Sequence, residues 1–283
     1  MYRIASRKNL NPTVTQMEIE APLVARKALP GQFIILRVDE EGERIPLTVA
    51  GTNAEKGTVK IIFQIVGATT QRLNTKKEGE YIQDFVGPLG KPTETEGIKK
   101  VCIIGGGVGC AIALPVAEEF HRLGADVTSI IGFRSKDLLI LEDEFRAASN
   151  RLIVMSDDGS YGRHGNVTVP LKEMLEAGEK FDLVIAIGPI VMMKFVTLTA
   201  KPFGVPVTVS MNPIMIDGTG MCGGCRLTLN SDGRKITRFA CVDGPDFNGY
   251  EVDFDEAMSR SRMYFGAERH AFEKECNLLR EAK

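Results

Sequence analysis

Three cysteines and one aspartate in the last third of the chain constrain it most. The stretch Asp217-Gly-Thr-Gly-Met-Cys222-Gly-Gly-Cys225, with Cys241 further along, has the spacing D-x4-C-x2-C…C. A plant-type [2Fe–2S] site has the spacing C-x4-C-x2-C…C, so aspartate occupies the first ligand position here. Glycines between ligands let the backbone wrap closely around a cluster and direct N–H groups at its sulfurs. The pattern predicts a [2Fe–2S] cluster with one oxygen ligand, held by Asp217, Cys222, Cys225 and Cys241.

Two other uses of these residues stay open. The C-x2-C pair, together with Cys241 and Asp217, could form a tetrahedral zinc site. The pair could instead act as a dithiol redox couple. Zinc knuckles usually bring a second closely spaced pair, whereas Cys241 stands alone. The iron–sulfur interpretation is therefore favoured over both.

The bulk composition excludes several classes of protein. The chain has 283 residues, which favours two domains and an appendage. A net charge of −2 gives no argument for nucleic acid or an anionic membrane as a partner. No apolar run is long enough to cross a bilayer, and the first ten residues lack the apolar core of a signal peptide. We expect a cytoplasmic protein with neither nucleic acid nor membrane among its partners.

Residues 1–98 carry the pattern of an antiparallel β-barrel. Short apolar or alternating runs are separated by turn dipeptides such as Pro30-Gly31 and Gly87-Pro88, and the runs are TVTQMEIEA, QFIILRV, IPLTVAG, TVKIIFQIV and YIQDFVG. Regularly spaced short strands with such turns predict a closed barrel. One short helix is expected over residues 69–74.

Residues 99–210 alternate apolar strands with helices, which predicts a doubly wound parallel sheet covered on both faces. The predicted strands are VCIIGG, ADVTSIIG, LIVMS, DLVIAIG and VPVTVS. Residues 211–283 hold the cysteine loop and a long polar helical pattern from Val252 to Lys283. Three parts are thus expected: a barrel, an α/β domain, and a cluster segment with a C-terminal helix.

A dinucleotide site is predicted at the start of the α/β domain. The glycine run Gly105–Gly109 joins the first parallel strand to a helix, where a pyrophosphate can meet backbone N–H groups. Asp157-Asp158 and Gly188-Pro189 follow later strands and fall at the same edge of the sheet. Arg134-Ser135-Lys136 stands where an acid for the ribose is expected, and it either binds a 2′-phosphate or is a solvated basic turn.

A second cofactor site is indicated in the barrel. Arg44–Thr48 places an arginine beside a strand hydroxyl, which can clamp a phosphate. Val66–Thr70 opens a helix and offers another anion site. A nicotinamide gives up two electrons together, an iron–sulfur cluster takes one, and a flavin can do both. The other two sites therefore imply a flavin between them.

Several motifs resemble those of a known superfamily. The chain resembles the flavin barrels of the ferredoxin–NADP reductase superfamily in Pro30–Phe33, Arg44–Thr48, Val66–Thr70 and Gly87–Gly90. Over nearly its full length it resembles the electron-transfer subunits of dihydroorotate dehydrogenases, through SDDGSYG, the cysteine loop and CVDGP. Those subunits normally have cysteine at the position of Asp217. With aspartate there, the chain is similar to the small subunits of NADH-dependent ferredoxin:NADP+ oxidoreductases, also called sulfide dehydrogenases.

The resemblance implies two nucleotide cofactors beside the cluster. FAD is expected in the barrel, lined by Arg44, Pro46, Leu47, Thr48, Gly67 and Thr70. NAD(H) is expected near Gly106, Gly107, Val108, Asp158 and Gly188. The family uses NADH on this subunit, and we prefer that to the NADP indication of the basic turn. No side chain is expected to act as a general acid or base.

The resemblance also implies a partner and an activity. The expected function is electron transfer between NAD(H), FAD and a [2Fe–2S] cluster, in flavin-based bifurcation that couples NADH, NADPH and ferredoxin. The expected partner is a larger flavin and iron–sulfur subunit that resembles the small subunit of glutamate synthase, and ferredoxin is served through the complex. Two alternatives stay open: the electron-transfer subunit of an NAD-dependent dihydroorotate dehydrogenase, and a non-catalytic redox sensor.

Overall fold

The N-terminal part of the chain folds into a nearly closed antiparallel barrel. The computed structural model describes the backbone of residues 1–281 and the side chains of residues 1–276. Its first sheet has the order β6-β1-β2-β5-β4-β3-β7. The strands are β1 Tyr2–Asn11, β2 Val14–Glu20, β3 Phe33–Arg37, β4 Arg44–Asn53, β5 Thr58–Gln64, β6 Tyr81–Ile82 and β7 Asp84–Leu89, with helices α1 Pro22–Ala25 and α2 Ala68–Thr75.

The barrel closes at Gln83, where the two edge strands β6 and β7 meet. The run YIQDFVG, expected as one strand, is divided by Gln83 into β6 and β7. The Gln83 N–H donates to the carbonyls of Arg37 and Val38, at 3.1 and 3.2 Å. Strands β6 and β7 thus occupy the two edges of the sheet and meet at Gln83, which confirms the predicted barrel.

Strand β3 presents opposite faces to two different cores, because side chains alternate along a strand. Ile34 and Leu36 are buried inside the barrel. Phe33 and Ile35 point outward and are buried in a second core that also contains Cys225 and Cys241. The outer face of β3 therefore connects the barrel to the cysteine segment.

The second sheet is doubly wound, as predicted. Six strands are parallel in the order β11-β10-β9-β8-β12-β13. The strand order reverses between β8 and β12, which is where ligands bind in such sheets. The elements are β8 Lys100–Gly106, β9 Asp126–Phe133, β10 Arg151–Ser156, β11 Arg163–His164, β12 Leu183–Ile187 and β13 Val207–Ser210, with helices α3 Cys110–Arg122, α4 Glu142–Ala147, α5 Thr168–Glu176 and α6 Ile190–Ala200.

The last segment is built around a hairpin and contributes one strand to the second sheet. Its strands are β14 Arg226–Ser231, β15 Arg234–Phe239 and β16 Asp246–Asn248, and its helices are α7 Ala240–Asp243, α8 Phe254–Ser261 and α9 Phe265–Glu281. Strand β16 lies antiparallel beside β13. The cysteine segment and the α/β domain therefore share a sheet.

The expected C-terminal helical pattern is divided into two helices with different anchors. Helix α8 begins after Asp253, whose side chain accepts from the Glu256 N–H, and it buries Phe254. Helix α9 instead contacts α2, where Glu275 pairs with Arg72 at 3.0 Å. Residues 282 and 283 of the predicted helix lie outside the described residues. Within residues 1–281, no helix is long and apolar enough to cross a membrane.

Candidate functional site

Two of the predicted cluster ligands lie side by side at the base of the hairpin. Cys225 precedes β14 and Cys241 follows β15, and pairing of these strands brings their sulfurs within 3.2 Å. A disulfide would need about 2.05 Å, and both cysteines are free. Two thiolates on one tetrahedral metal ion, each at about 2.3 Å, lie about 3.7 Å apart. The two sulfurs lie about 0.5 Å closer than that, so a small separation of the side chains would let both bind the same metal ion.

Backbone amides point at the sulfurs, as a cluster site requires. The Gly224 N–H donates to Cys222 Sγ and the Cys241 N–H donates to Cys225 Sγ, each at 3.4 Å. Burial raises the pKa of Cys241 to about 12. The free thiol is therefore protonated at neutral pH, and a metal ion bound here would have to displace that proton. Cys222 is exposed at the surface.

Asp217 organises the start of the loop. One carboxylate oxygen accepts from the N–H and hydroxyl of Thr219, and the other accepts from the Cys222 N–H at 2.7 Å. Hydrogen bonds from Cys222 and Thr219 hold the pKa of Asp217 well below its usual range. The carboxylate is therefore ionised, as a metal ligand must be.

The four predicted ligands lie in two pairs, and the members of each pair are close to each other. Cys225 and Cys241 are in contact, and Asp217 is hydrogen-bonded to the backbone of Cys222. Across the described residues, no three His, Cys, Asp or Glu side chains converge into one metal-binding group. The donor chemistry fits a [2Fe–2S] cluster, with each pair suited to one iron.

The predicted flavin residues lie mostly on one face of β4. Thr48 and Pro46 are the cross-strand partners of Phe33 and Ile35, so they share the outward face that is turned to the cysteine segment. Arg44 has the same alternation and is exposed. Leu47 points the other way and packs against the barrel core. The structure thus brings together three of these four residues and separates Leu47.

The turn before α2 forms a second part of the predicted flavin site. Thr70 Oγ1 accepts from the N–H groups of Val66 and Gly67, both at 3.0 Å, and donates to the Gly67 carbonyl. Thr70 therefore fixes the turn. The position that a Gly67 Cβ would take has no heavy atom within 4 Å. This open helix N-terminus has room for a phosphate.

A cavity of about 960 Å³ lies between the barrel and the second sheet, at the switch point between β8 and β12. Gly106, Gly107, Val108 and Gly188, four of the predicted dinucleotide residues, all line it. The structure places Asp158 elsewhere: its carboxylate accepts from the N–H and hydroxyl of Ser160, at 2.9 and 2.6 Å. The neighbouring Asp157 lines the cavity instead.

The two basic residues of the turn Arg134-Ser135-Lys136 have different surroundings. Arg134 lines the cavity. The Lys136 ammonium lies 5.5 Å from the centre of the Tyr161 ring, in a cation–π contact. Lys136 therefore has a partner within the protein, and Arg134 is the basic residue of this turn that lines the cavity.

Close approach between two turns explains why glycine occurs here. A Cβ on Gly109 would lie 2.5 Å from the Ile187 carbonyl oxygen, and one on Gly106 would lie 2.4 Å from Met192 Sδ. The backbone oxygen cannot move away from a side chain at position 109, whereas a side chain at position 106 would require the flexible Met192 side chain to shift. The turns after β8 and β12 are thus pressed together beneath the cavity.

Barrel residues form the part of the cavity that the sequence did not reveal. Asn11, Thr13 and Gln64 line it together with the glycine turn. The Asn11 amide donates to the Leu138 carbonyl at 3.1 Å, which links the barrel to the α/β domain. No local pattern marks these residues, because they meet the cavity only through the packing of two domains.

Comparison with known proteins identifies the family. Residues 212–253 match the family described as the iron–sulfur cluster binding domain of dihydroorotate dehydrogenase B. A Thermotoga maritima protein named as a homolog of the dihydroorotate dehydrogenase B (NAD(+)) electron transfer subunit is 46% identical, over 97% of this chain and 95% of its own. The chain belongs to this family of electron-transfer subunits.

A solved structure matches the whole of this electron-transfer subunit. The structure of an NADH-dependent reduced ferredoxin-NADP oxidoreductase, reported for its insights into flavin-based electron bifurcation, has a TM-score of 0.89 and 44% identity, over 97% of both chains. A Clostridium beijerinckii protein encoded in the adh 3′ region is 49% identical, over 93% of this chain and 90% of its own. The ferredoxin reductase of carbazole 1,9a-dioxygenase, at 16% identity and a TM-score of 0.61, shares the fold.

These relationships establish the class of activity. The electron-transfer subunit is an oxidoreductase component of a multi-subunit complex. FAD, an iron–sulfur cluster and NAD(H) are the cofactors of this class. The sequence-based predictions of fold, oxidoreductase class and cofactors are confirmed.

Proposed function

We propose that this chain is the small subunit of an NADH-dependent reduced ferredoxin:NADP+ oxidoreductase, a cytoplasmic bifurcating enzyme. The 44% identity to such a structure over 97% of both chains carries this proposal. The aspartate at position 217 supports it, since the dihydroorotate-linked relatives normally have cysteine there. The chain would exchange electrons between NAD(H) and a larger subunit.

Asp217, Cys222, Cys225 and Cys241 would hold the cluster, which supplies one-electron transfer when bound. Cys225 and Cys241, already 3.2 Å apart, would bind one iron. Asp217 and Cys222, joined through the Cys222 N–H, would bind the other. The exposed Cys222 places that second pair at the protein surface, where an electron can leave for a partner.

The barrel would hold FAD, which supplies the conversion between two-electron and one-electron transfer when bound. Arg44 would pair with its phosphates, and Pro46 and Thr48 would contact the flavin from the outward face of β4. The N-terminus of α2, set by Thr70 and Gly67, would receive a phosphate. Leu47 would support this face from inside the barrel.

The cavity at the switch point would hold NAD(H). Gly106, Gly107 and Val108 would present backbone N–H groups to the pyrophosphate, and Gly188 would bound the cavity from β12. Asp157, which lines the cavity, is the better candidate than Asp158 for a hydrogen bond to a ribose. Asn11 and Thr13 would exclude water from the barrel side.

The proposed partner is a larger, glutamate-synthase-like subunit with flavin and iron–sulfur centres, and ferredoxin would react through the complex. A second candidate function is electron transfer with a dihydroorotate-oxidising subunit, which the name of the Thermotoga maritima relative favours. The two differ in the protein that must accompany this chain. A non-catalytic redox sensor is the third possibility.

Purification from native cells under anaerobic conditions, followed by identification of the co-purifying subunit, separates the first two candidates. The proposal predicts a flavin and iron–sulfur protein whose complex reduces NADP+ with NADH and reduced ferredoxin. Dihydroorotate oxidation by the complex would support the second candidate instead. Bleaching of the flavin by NADH at catalytic rates would exclude the sensor.

A further inference from the structure

A buried acid outside the cofactor sites has an unsatisfied oxygen. Asp246 opens strand β16, and one of its carboxyl oxygens accepts from the Thr93 hydroxyl at 2.6 Å. The other oxygen, Oδ1, is inaccessible to solvent and has no hydrogen-bond partner among the described residues. A buried acceptor without a partner is costly, and a charged one more so. A carboxyl group with this energetic cost is expected to have a functional role.

The surroundings of Asp246 favour its neutral form. Burial raises the pKa of Asp246, and the hydroxyls of Thr93 and Ser210 oppose that rise only in part. On the segments packed against it, the side chains of Lys91 and Glu94 are exposed to solvent. Asp243 is also near in sequence, and its carboxylate accepts from the Phe239 N–H at 2.7 Å. Within residues 1–276, Asp246 thus has hydroxyl neighbours and no cationic partner.

Asp246 lies in a segment that joins the cysteines to the cavity. Cys241 is five positions earlier on this segment, and Phe247 is buried in the same core as Cys241. On the other side, Asp246 is the cross-strand partner of Ser210, which lines the dinucleotide cavity. The Pro245 carbonyl also accepts from the Met211 N–H at 2.9 Å, which fixes the start of this contact.

We propose that Asp246 is a redox-linked acid of the iron–sulfur site: it would bind a proton when an electron reaches the cluster held by the cysteine loop, and it would release the proton when the electron leaves. This rests on the proposed function, which supplies the electron from NADH and removes it to the partner subunit. The balance is one electron and one proton: the carboxylate takes a proton from water and becomes a carboxylic acid. The charge of the site is then unchanged.

Electrostatics sets the direction of this coupling. An added electron in a low-dielectric interior raises the pKa of a nearby carboxyl group, because the second negative charge is opposed. The coupling is reciprocal, so a protonated Asp246 favours the reduced site. Ser210 is paired with Asp246 across the strands and lines the cavity, so we expect the proton to pass between Asp246 and water beside this residue.

The test is the pH dependence of the cluster's reduction potential in the intact chain, followed by electron paramagnetic resonance during redox titration. The wild-type potential should fall as pH rises through a window above the ordinary range of aspartate, towards about 59 mV per pH unit for one proton per electron. Asp246→Asn should lose this slope. Glu94→Gln removes an exposed acid from the segment that carries Thr93, and it should keep the slope.

A second variant guards against a folding defect in Asp246→Asn. Thr93→Val removes a hydrogen bond that favours the carboxylate, so it should move the window to higher pH and keep the slope. A pH-independent wild-type potential, an unchanged slope in Asp246→Asn, or an unmoved window in Thr93→Val would overturn the inference. Protein without iron would contradict the proposed function as well, whereas a cluster-loaded Asp246→Asn that keeps the slope contradicts only the role of Asp246.

Discussion

Gly218 touches Ile35 across the boundary between the cysteine loop and the barrel. A Cβ on Gly218 would lie 2.8 Å from Ile35 Cδ1 and 2.7 Å from Leu89 Cδ1, and the residue has a φ of +79°. The loop that carries the proposed cluster ligands therefore rests directly on the outer face of β3. This contact sets the distance between the loop and the proposed flavin site.

Gly218→Ala should disturb the loop because the added methyl group meets Ile35 and because the left-handed backbone is strained. The strain costs about 1–2 kcal/mol, and overpacking adds about 1–3 kcal/mol. We expect a lower melting temperature and a several-fold lower iron content per chain. Gly233→Ala is the matched control, since Gly233 has a φ of +75° and no atom within 4 Å of its Cβ position. Equal effects of the two variants would contradict the importance of the contact.

Asp217→Cys should keep the cluster and lower its reduction potential. A carboxylate is a harder ligand than a thiolate and donates less charge to iron. Replacement of thiolate ligands by weaker donors changes [2Fe–2S] potentials substantially, so we expect a shift on the order of 100 mV. Redox titration measures it. An identical potential in the variant and the wild type would show that Asp217 is not a ligand.

Arg44→Ala should weaken FAD binding. A charge-assisted hydrogen bond contributes about 1.5–3 kcal/mol, so the affinity should fall roughly tenfold or more. The ratio of flavin to protein after gel filtration reports the loss. Arg26→Ala, which changes another exposed arginine of the same domain, is the control and should retain FAD. Full flavin occupancy in Arg44→Ala would remove Arg44 from the site.

The buried Asp246 should make the protein less stable as pH rises. Its pKa is raised in the folded state, so the folded state binds the proton more tightly than the unfolded state. The resulting stabilisation is complete below about pH 3.9, the ordinary pKa of aspartate. It is lost as pH rises through the folded pKa, and the loss amounts to about 1.4 kcal/mol for each pH unit between the unfolded and folded pKa values.

Chemical denaturation of wild type and Asp246→Asn across pH measures this effect. Asparagine does not titrate, so the stability of the variant relative to the wild type should increase with pH. A constant difference between the two proteins would mean that the pKa of Asp246 is the same in the folded and unfolded states.

The main architecture was predictable because it depends on periodicity. Alternation in runs such as TVTQMEIEA predicts barrel strands, and apolar strands between helices predict the parallel sheet. The predictions from the sequence do not include the hairpin of β14 and β15, although Asp232-Gly233 between alternating residues favours such a turn, and both residues have positive φ. That pattern was sufficient to predict the hairpin.

Other features depend on tertiary packing and leave no local pattern. Asp157 and Asp158 are adjacent in sequence, and only the fold shows that Asp157 faces the cavity while Asp158 caps its own turn. The burial of Asp246 likewise depends on the pairing of β16 with β13. The C-terminal helical pattern is divided because its two helices pack on different parts of the protein: α8 packs on α6 and β14, and α9 packs on α2.

Iron and acid-labile sulfide analysis of the anaerobically purified chain tests the central claim most directly. We predict equal amounts of iron and sulfide, equivalent to one [2Fe–2S] cluster per chain, in a coloured protein. Colourless protein that contains zinc, or neither iron nor sulfide, would contradict the claim.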